Sequence, residues 1–279
     1  MTHDASSRES NKEFDFTVKD FERVRGLIYQ RAGISLSDSK QEMVYSRLAR
    51  RLRATGITSF TEYLNDLERD HDPEEWIAFT NALTTNLTSF FREEHHFPLL
   101  AEFVAKLKEP VTVWCSASST GEEPYSIAIT LCEAFGKMNP PAKIISTDID
   151  TNVLKTAEQG VYNLDRIDKM SPERIRKFFL KGKGSNDGQV RVRPELRNMI
   201  EFRQLNLLSD SWAVGGGFDA IFCRNVMIYF DKPTQKKILQ RFAPLLKPHG
   251  LLFVGHSENF SYLTDTFHLR GKTVYEVSQ

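Results

Sequence analysis

An apolar run that breaks into small residues and then into two acids is the part of this sequence best suited to ligand chemistry. The run begins at Val111, the small residues occupy positions 116–121, and the acids are Glu122 and Glu123. Small side chains leave room for a ligand and expose backbone N–H groups, so the pattern predicts a strand, a turn and a helix that line a nucleotide-type pocket. The simpler interpretation is a strand and a capped helix without a ligand.

The charge of this segment narrows the choice of ligand. Glu122 and Glu123 suit the positive end of a helix dipole but would repel the phosphates of a dinucleotide. A second apolar run, residues 143–146, leads to Asp148, near the spacing at which a βαβ unit places a carboxylate on a ribose diol. A ligand with a nucleoside end and a cationic or zwitterionic end therefore fits best, and S-adenosylmethionine has both.

The composition is that of an ordinary globular protein with no net charge. Zero net charge argues against attraction of the whole molecule to nucleic acid or to an anionic membrane. The longest apolar runs are too short to span a membrane, and residues 1–13 are too polar for a signal peptide, so we expect a disordered tail there. Cys115, Cys132 and Cys223 are predicted to be buried thiols, and the histidines lack metal-ligand spacing, so no metal is expected.

Hydrophobic periodicity divides the chain into two parts. Residues 14–84 show a helical pattern, which predicts an all-helical N-terminal domain. Strand-like runs alternate with amphipathic stretches over residues 110–279, which predicts an α/β fold with a mixed, mostly parallel sheet flanked by helices. A glycine-rich turn and an alternating strand predict a small antiparallel β-subdomain inserted at about 170–200. Residues 85–109 form a linker that we expect to line the cofactor pocket.

Other polar residues follow apolar runs where open α/β sheets bind their ligands. The run at residues 218–223 delivers Arg224 and Asn225 at its carboxyl end, and Tyr229 follows. A third group precedes the strand-rich part and comprises Asn86, Thr88 and Arg92. Because the carboxyl ends of parallel strands meet at one edge of a sheet, we expect Arg224 and Asn225 to converge with Asp148 on one crevice.

Taken together, these segments make the chain resemble the chemoreceptor protein-glutamate O-methyltransferases, the CheR-type family of bacterial chemotaxis, over essentially its whole length. The resemblance rests on the stretches NALTTNLTSFFRE, ASSTGEEPYSIAI, STDID, FDAIFCRNVMIYFD and LLKPHGLLFVGHSENF. It implies an S-adenosylmethionine-dependent methyltransferase domain of Rossmann-like fold behind a small all-α domain. It also implies methyl transfer to glutamate side-chain carboxylates of methyl-accepting chemotaxis proteins, which gives γ-methyl esters and S-adenosylhomocysteine in sensory adaptation.

The resemblance also implies roles for individual residues. Arg92 and Tyr229 are implied to be catalytic, and Glu123 is expected to face the methionine end of the cofactor. Asn206 and Leu207 would give an adenine edge one hydrogen-bonding partner and one apolar neighbour, although Asn206 could also be an ordinary turn residue. The whole set implied to bind the cofactor is Asn86, Thr88, Arg92, Glu123, Asp148, Asn206, Leu207, Arg224 and Asn225.

A basic helix is the first stretch implied to bind the receptor. Residues 40–56 carry five basic residues and one acidic residue. Arg47, Arg50 and Arg53 of this predicted helix are expected to face the Glu-rich cytoplasmic helical bundle of the receptor. A merely solvated helix face is the simpler interpretation.

A glycine-rich loop is the second stretch implied to bind the receptor. Gly182, Gly184 and Gly188 are implied to belong to a loop that docks the C-terminal pentapeptide of the receptor by edge-strand pairing, although plain hairpin glycines would look the same. The resemblance further implies a cytoplasmic monomer that is recruited to membrane receptor arrays. Such an enzyme would neither insert into the membrane nor bind nucleic acid.

Two other functions are compatible with parts of the pattern. A nucleic-acid methyltransferase would place the basic helix on phosphates, but the neutral net charge argues against it. The stretch CRNVMIYF also lacks the (D/N)-P-P-(Y/F) arrangement of many amino-group methyltransferases. The other alternative is a receptor-binding module that keeps the cofactor fold without turnover, and the joint presence of Arg92, Asp148, Asn225 and Tyr229 argues against it.

Overall fold

The computed structural model describes residues 12–69, 71–107 and 110–278. The chain forms two compact units, Met1–Arg31 with Leu36–Leu83 and Ala32–Ser35 with Thr84–Gln279. Most of the tail that the sequence predicts to be disordered, residues 1–13, lies outside the described residues. No helix within the described ranges combines the length and the apolar character needed to cross a membrane.

Helices build the first unit. Their bounds are α1 Val18–Ala32, α2 Gln41–Thr55, α3 Phe60–Glu68 and α4 Pro73–Leu83. The apolar stripe of α2 is buried and comprises Val44, Leu48, Ala49 and Leu52. Local signals set the helix ends, because the Ser59 hydroxyl accepts from the backbone N–H of Glu62 at the start of α3, and Gly56 ends α2 with a left-handed φ of 74°.

Ten strands form two sheets within the described part of the second unit. Their bounds are β1 Val111–Cys115, β2 Ala142–Asp148, β3 Val161–Asn163, β4 Phe179–Lys181, β5 Gln189–Val192, β6 Ile200–Gln204, β7 Phe218–Cys223, β8 Leu246–Val254, β9 Phe267–Gly271 and β10 Val274–Val277. The larger sheet has the order β6-β2-β1-β7-β8-β10-β9. Its pairs from β6 to β8 are parallel and its last two pairs are antiparallel, which confirms the predicted mixed α/β sheet.

Helices cover both faces of the larger sheet. Their bounds are α5 His96–Val104, α6 Glu122–Ala134, α7 Thr151–Gln159, α8 Pro172–Phe178, α9 Pro194–Arg197 and α10 Lys232–Phe242. Successive side chains of β1 point to opposite faces, so Val113 packs in the apolar cluster of α5 and α6, and Trp114 packs in that of α10. All three cysteines are buried and free, as predicted.

The smaller sheet is antiparallel, with the order β3-β5-β4. Its first strand, β3, precedes residues 170–200, so the β-subdomain begins earlier than the sequence indicates. The difference has a simple cause: only the middle one of the three β3 residues, Tyr162, is buried, and so short a strand shows no alternating pattern.

The turn between β1 and α6 requires a glycine. Gly121 has a φ of 100°, and a Cβ there would lie 2.7 Å from the Tyr162 hydroxyl and 2.8 Å from the Ala157 Cβ. The turn is also tied to β2, because the N–H of Ser118 donates to the Thr147 carbonyl at 2.8 Å. The close packing fixes the point at which α6 begins, and with it the position of the two acids.

Candidate active site

Three parallel strands end at the edge of the sheet where the sequence predicts a crevice. The strands β2, β1 and β7 are neighbours and end at Asp148, Cys115 and Cys223. The turn after β1, Asp148 itself and Arg224 directly after β7 therefore lie along this edge. Open α/β sheets bind their ligands at this edge.

A buried arginine lies between two carboxylates at this edge. The Arg224 side chain is fully buried, and its Nη1 lies 3.0 Å from Oε2 of Glu123. Its Nη2 lies 3.4 Å from Oε2 of Glu93 and also donates to the carbonyl of Arg92. The guanidinium lies 5.8 Å from the ring centroid of Phe97. We call Arg224, Glu93 and Glu123 the arginine cluster.

The pKa values of the two carboxylates move in opposite directions. Burial acts to raise the pKa of Glu93, but hydrogen bonds from His256 and Asn225 and the charge of Arg224 outweigh it and lower that pKa to about 2. Burial raises the pKa of Glu123 above its usual value, although the charge of Arg224 opposes the shift. Glu93 is thus the firmly ionised partner of Arg224, and Glu123 lacks full compensation.

Asn225 adopts a left-handed backbone conformation that buried contacts stabilise. Its φ is 57°, its N–H donates to Oε2 of Glu258 at 3.0 Å, and its Nδ2 donates to Oε1 of Glu93 at 3.2 Å. Glu258 also accepts the N–H groups of Met227 and Gly255. A Cβ at Gly255 would overlap the Asn225 side chain. The backbone after β7 is therefore held by one buried acid.

Asp148 is held by the turn on one side and by the start of α7 on the other. Its Oδ2 accepts the N–H of Ser119 at 2.8 Å, and its Oδ1 accepts the N–H of Asp150 at 3.0 Å. Burial raises the pKa of Asp148 to about 6, against these hydrogen bonds. Asn86 joins the same network, since its side-chain Nδ2 donates to Asp150 at 2.7 Å and its backbone carbonyl accepts from the Ser119 hydroxyl at 2.9 Å.

The two acids at the start of α6 have different environments. Glu122 is fully buried and accepts from Nε of Arg166 at 3.1 Å and from the Thr120 hydroxyl at 2.6 Å. Nη2 of Arg166 also donates to the Thr88 carbonyl at 2.9 Å. Glu122 therefore holds the segment around Thr88, and Glu123 alone joins the arginine cluster.

The remaining predicted cofactor residues lie further along the edge. Asn206 follows β6, and its Oδ1 accepts the N–H of Leu208 at 2.9 Å, while Leu207 is buried. A cavity of about 330 Å³ opens here, lined by Ile149, Arg203, Gln204, Leu205, Asn206, Ser209, Ser211, Ala213 and Val214. Polar and apolar side chains line this cavity together, and such a mixed lining suits a purine base.

The two residues predicted to be catalytic are both partly exposed. Nη1 of Arg92 donates to the Leu87 carbonyl at 2.9 Å. Tyr229 lies at the end of the short helical turn Met227–Tyr229, and its carbonyl accepts the N–H of Ser35 at 2.9 Å. None of the described contacts joins the Arg92 and Tyr229 side chains, whereas an ion pair joins Glu123 and Arg224.

The arginines of α2 differ in how they are paired. Arg53 forms an ion pair of 2.6 Å with Glu13, and Nη1 of Arg47 donates to the Ala82 carbonyl at 3.3 Å. Arg51 pairs with Glu75. Arg50 is exposed and forms no ion pair with any described residue. The positive charge of this face is therefore least compensated at Arg50.

The backbone of the smaller sheet requires glycine at three positions. A Cβ at Gly182 would overlap the carbonyl of Asn186, whereas Gly184 and Gly188 have open space but positive φ angles of 61° and 81°. Left-handed backbone favours glycine. Hairpin geometry therefore explains all three positions.

Reasoning from the sequence missed several residues of the site. These residues are Glu93, Asp150, Arg166 and Glu258, although Glu93, Asp150 and Glu258 lie within stretches that carry the family resemblance. An acid directly after Arg92 and another shortly after the end of β8 were the available signals. Neither signal identifies a partner, because each partner is distant in sequence.

Comparison with known proteins identifies the family of the chain. Residues 86–276 match the family described as CheR methyltransferase, SAM binding domain, and residues 19–84 match CheR methyltransferase, all-alpha domain. The fold and the site thus define a methyltransferase that uses S-adenosylmethionine. This chain belongs to the CheR methyltransferase family, which confirms the resemblance, the cofactor and the enzyme class expected from the sequence.

Three relatives cover nearly the whole chain. The chemotaxis protein methyltransferase of Salmonella typhimurium is 57% identical over 259 residues, which is 93% of this chain and 90% of the relative. That of Escherichia coli is 55% identical, over 93% of this chain and 91% of the relative. Chemotaxis protein methyltransferase 2 of Pseudomonas aeruginosa is 54% identical, over 95% of each chain.

Removing the buried guanidinium should lower the stability of the fold far more than removing a more exposed one. We expect Arg224→Met to lower the free energy of unfolding by about 3–5 kcal/mol, because it leaves two buried carboxylates without their cation. Arg25 is the matched control, since it also contacts two carboxylates, Glu22 and Asp38, at 2.8 Å, but its side chain is 34% exposed and both acids are exposed. Arg25→Met should cost less than about 1 kcal/mol. Calorimetric unfolding that finds equal losses would contradict the role of the cluster.

Proposed function

We propose that the edge carrying Glu123, Asp148 and Arg224 binds S-adenosylmethionine for methyl transfer to glutamate side-chain carboxylates of chemoreceptors. The observation that supports this most is the charge of the arginine cluster, in which two carboxylates share one buried guanidinium. Such a cluster lacks one cation. The ammonium of the methionine end supplies a cation beside Glu123, whose pKa is raised by burial against the opposing charge of Arg224.

The other end of the cofactor lies against Asp148 and the cavity near Asn206. The Asp148 carboxylate accepts backbone N–H groups at both oxygens and has further lone pairs for a ribose hydroxyl. We assign Asn206 and Leu207 to binding the adenine base. The further residues that we assign to cofactor binding are Asn86, Thr88, Arg92, Arg224 and Asn225.

Bound S-adenosylmethionine supplies a methyl group on a sulfonium, and an ionised glutamate is the nucleophile. Because opposite charges cancel on the way to the transition state, the protein must position the reactants in line and exclude water. A tight ion pair between Arg92 and the substrate would stabilise the ground state more than the transition state. We therefore assign Arg92 to the cofactor carboxylate, and we assign the weaker donor Tyr229 to orienting the substrate.

Glu123→Gln should weaken cofactor binding. We expect the dissociation constant of S-adenosylmethionine to rise roughly tenfold to a hundredfold, because a hydrogen bond to a charged group is lost. Glu133→Gln is the control on the same helix, since Glu133 pairs with Arg174 at the exposed end of α6. Titration calorimetry measures both variants. Unchanged affinity in Glu123→Gln would exclude this site for the methionine end.

We further propose that Arg47, Arg50 and Arg53 meet acidic helices of the receptor. Arg50→Glu should raise the KM for the receptor and leave the affinity for S-adenosylmethionine unchanged. The effect should shrink with added salt, because exposed charges are screened. Arg69→Glu is the control, since Arg69 is an exposed arginine of the same unit. Equal effects of the two substitutions on methylation kinetics would argue against a specific surface.

The smaller sheet is the surface that we assign to the C-terminal pentapeptide of the receptor. Its order leaves β4 at an edge, where a peptide backbone can add as a further strand. Gly182, Gly184 and Gly188 shape the loop beside this edge. Such a tether raises the concentration of enzyme near its substrate sites and recruits a cytoplasmic monomer to receptor arrays. Calorimetry that detects no binding of an aromatic-containing receptor pentapeptide would remove this assignment.

A further inference from the structure

A histidine at the same edge of the sheet is held by the arginine cluster. His256 follows β8, which is parallel to β7, so it lies at the carboxyl ends of the strands. Its Nδ1 lies 2.9 Å from Oε1 of Glu93, and its backbone N–H donates to the same oxygen at 3.2 Å. The Glu93 side chain is 10% exposed and that of His256 is 68% exposed. A buried acid thus orients an open imidazole ring.

The protonation of Glu93 determines which ring nitrogen carries the proton. Glu93 is ionised, since its pKa is lowered to about 2 by hydrogen bonds and by Arg224 against the effect of burial. A carboxylate can only accept, so Nδ1 must be the donor. In the neutral ring, Nε2 is then an acceptor that points away from Glu93, where the Ser257 hydroxyl lies 3.1 Å from it.

The contacts of Glu93 place this ring beside the proposed reaction centre. Glu93 directly follows Arg92, and its Oε1 also accepts from Asn225 at 3.2 Å. Its Oε2 faces Arg224 at 3.4 Å, and Arg224 contacts Glu123. His256 is therefore one carboxylate away from the residues that we assign to the methionine end of the cofactor.

We propose that His256 is a catalytic residue that accepts the proton of a substrate glutamate, and that Glu93 is its positioning residue. The proposal rests on the proposed cofactor site. A glutamate that leaves water for a closed site has a raised pKa, so part of it arrives as the acid, which is a poor nucleophile. A proton acceptor at the entrance restores the carboxylate.

The proposed steps balance in atoms and charge. The O–H bond of the substrate carboxyl group breaks as an N–H bond forms at Nε2, and Glu93 stabilises the resulting imidazolium. The carboxylate oxygen then forms a bond to the methyl carbon, the S–C bond breaks, and its electron pair stays on the sulfur of S-adenosylhomocysteine. His256 afterwards releases its proton to water.

Two substitutions of His256 distinguish a role in proton transfer from a purely structural role. His256→Ala removes the ring, and His256→Gln keeps an N–H donor for Glu93 but cannot accept a proton at neutral pH. We expect both to slow methylation of receptor membranes at saturating S-adenosylmethionine by about a hundredfold, because that is the lower end of what general base catalysis contributes. Free imidazole should restore part of the rate in His256→Ala.

His249 offers a matched control on the same strand. Its Nδ1 also lies 2.9 Å from a glutamate, Glu276, and its side chain is 69% exposed, but it lies within β8 and not after its carboxyl end. His249→Ala should methylate at the parental rate, with or without imidazole.

The outcomes separate this proposal from that of the cofactor site. Parental rates in His256→Ala, a normal rate in His256→Gln, or a slow His256→Ala that imidazole does not restore would each overturn proton transfer by His256. A parallel loss of affinity for S-adenosylmethionine would also overturn it, because it would indicate a structural role through Glu93. The proposed cofactor site is contradicted instead if the Glu123→Gln variant binds S-adenosylmethionine with unchanged affinity.

Discussion

A guanidinium that is withdrawn from water must be matched by carboxylates, and this requirement organises the edge of the larger sheet where β2, β1 and β7 end. Arg224 comes from the end of β7, Glu123 from the first turn of α6, and Glu93 from the segment before α5. None of these elements is adjacent to another in sequence. The ion pairs and the hydrogen bond to the Arg92 carbonyl therefore join three parts of the chain at one point. A buried pair of this kind is costly to break, so the arrangement is fixed before a ligand binds.

Several residues around the arginine cluster adopt a left-handed backbone conformation. Glu93, Ser119 and Asn225 have positive φ angles although none is glycine. Such conformations persist only when their surroundings hold them, and here buried hydrogen bonds do so. Asp148 holds the N–H of Ser119, and Glu258 holds the N–H of Asn225. The strain and its compensation both lie where the cofactor is proposed to bind, which suits a site that must be organised in advance.

Local patterns made much of the fold and part of the site predictable from the sequence. The break from apolar residues to small ones predicts the turn before α6, and alternating strands and helices predict the mixed sheet. Glu93 could not be assigned, because its partner Asn225 is 132 positions away and only the sheet order brings them together. The strand β3 escaped prediction because three residues are too few for a period. The roles of Glu122 and Glu123 differ only through distant arginines.

The most direct test is the chemistry of the product. Purified protein, methyl-labelled S-adenosylmethionine and receptor-containing membranes should give labelled receptor. Mild base should then release the label as volatile methanol, because a glutamate methyl ester hydrolyses readily. Label that stays on the receptor after base, or that appears on nucleic acid, would contradict a carboxylate methyltransferase.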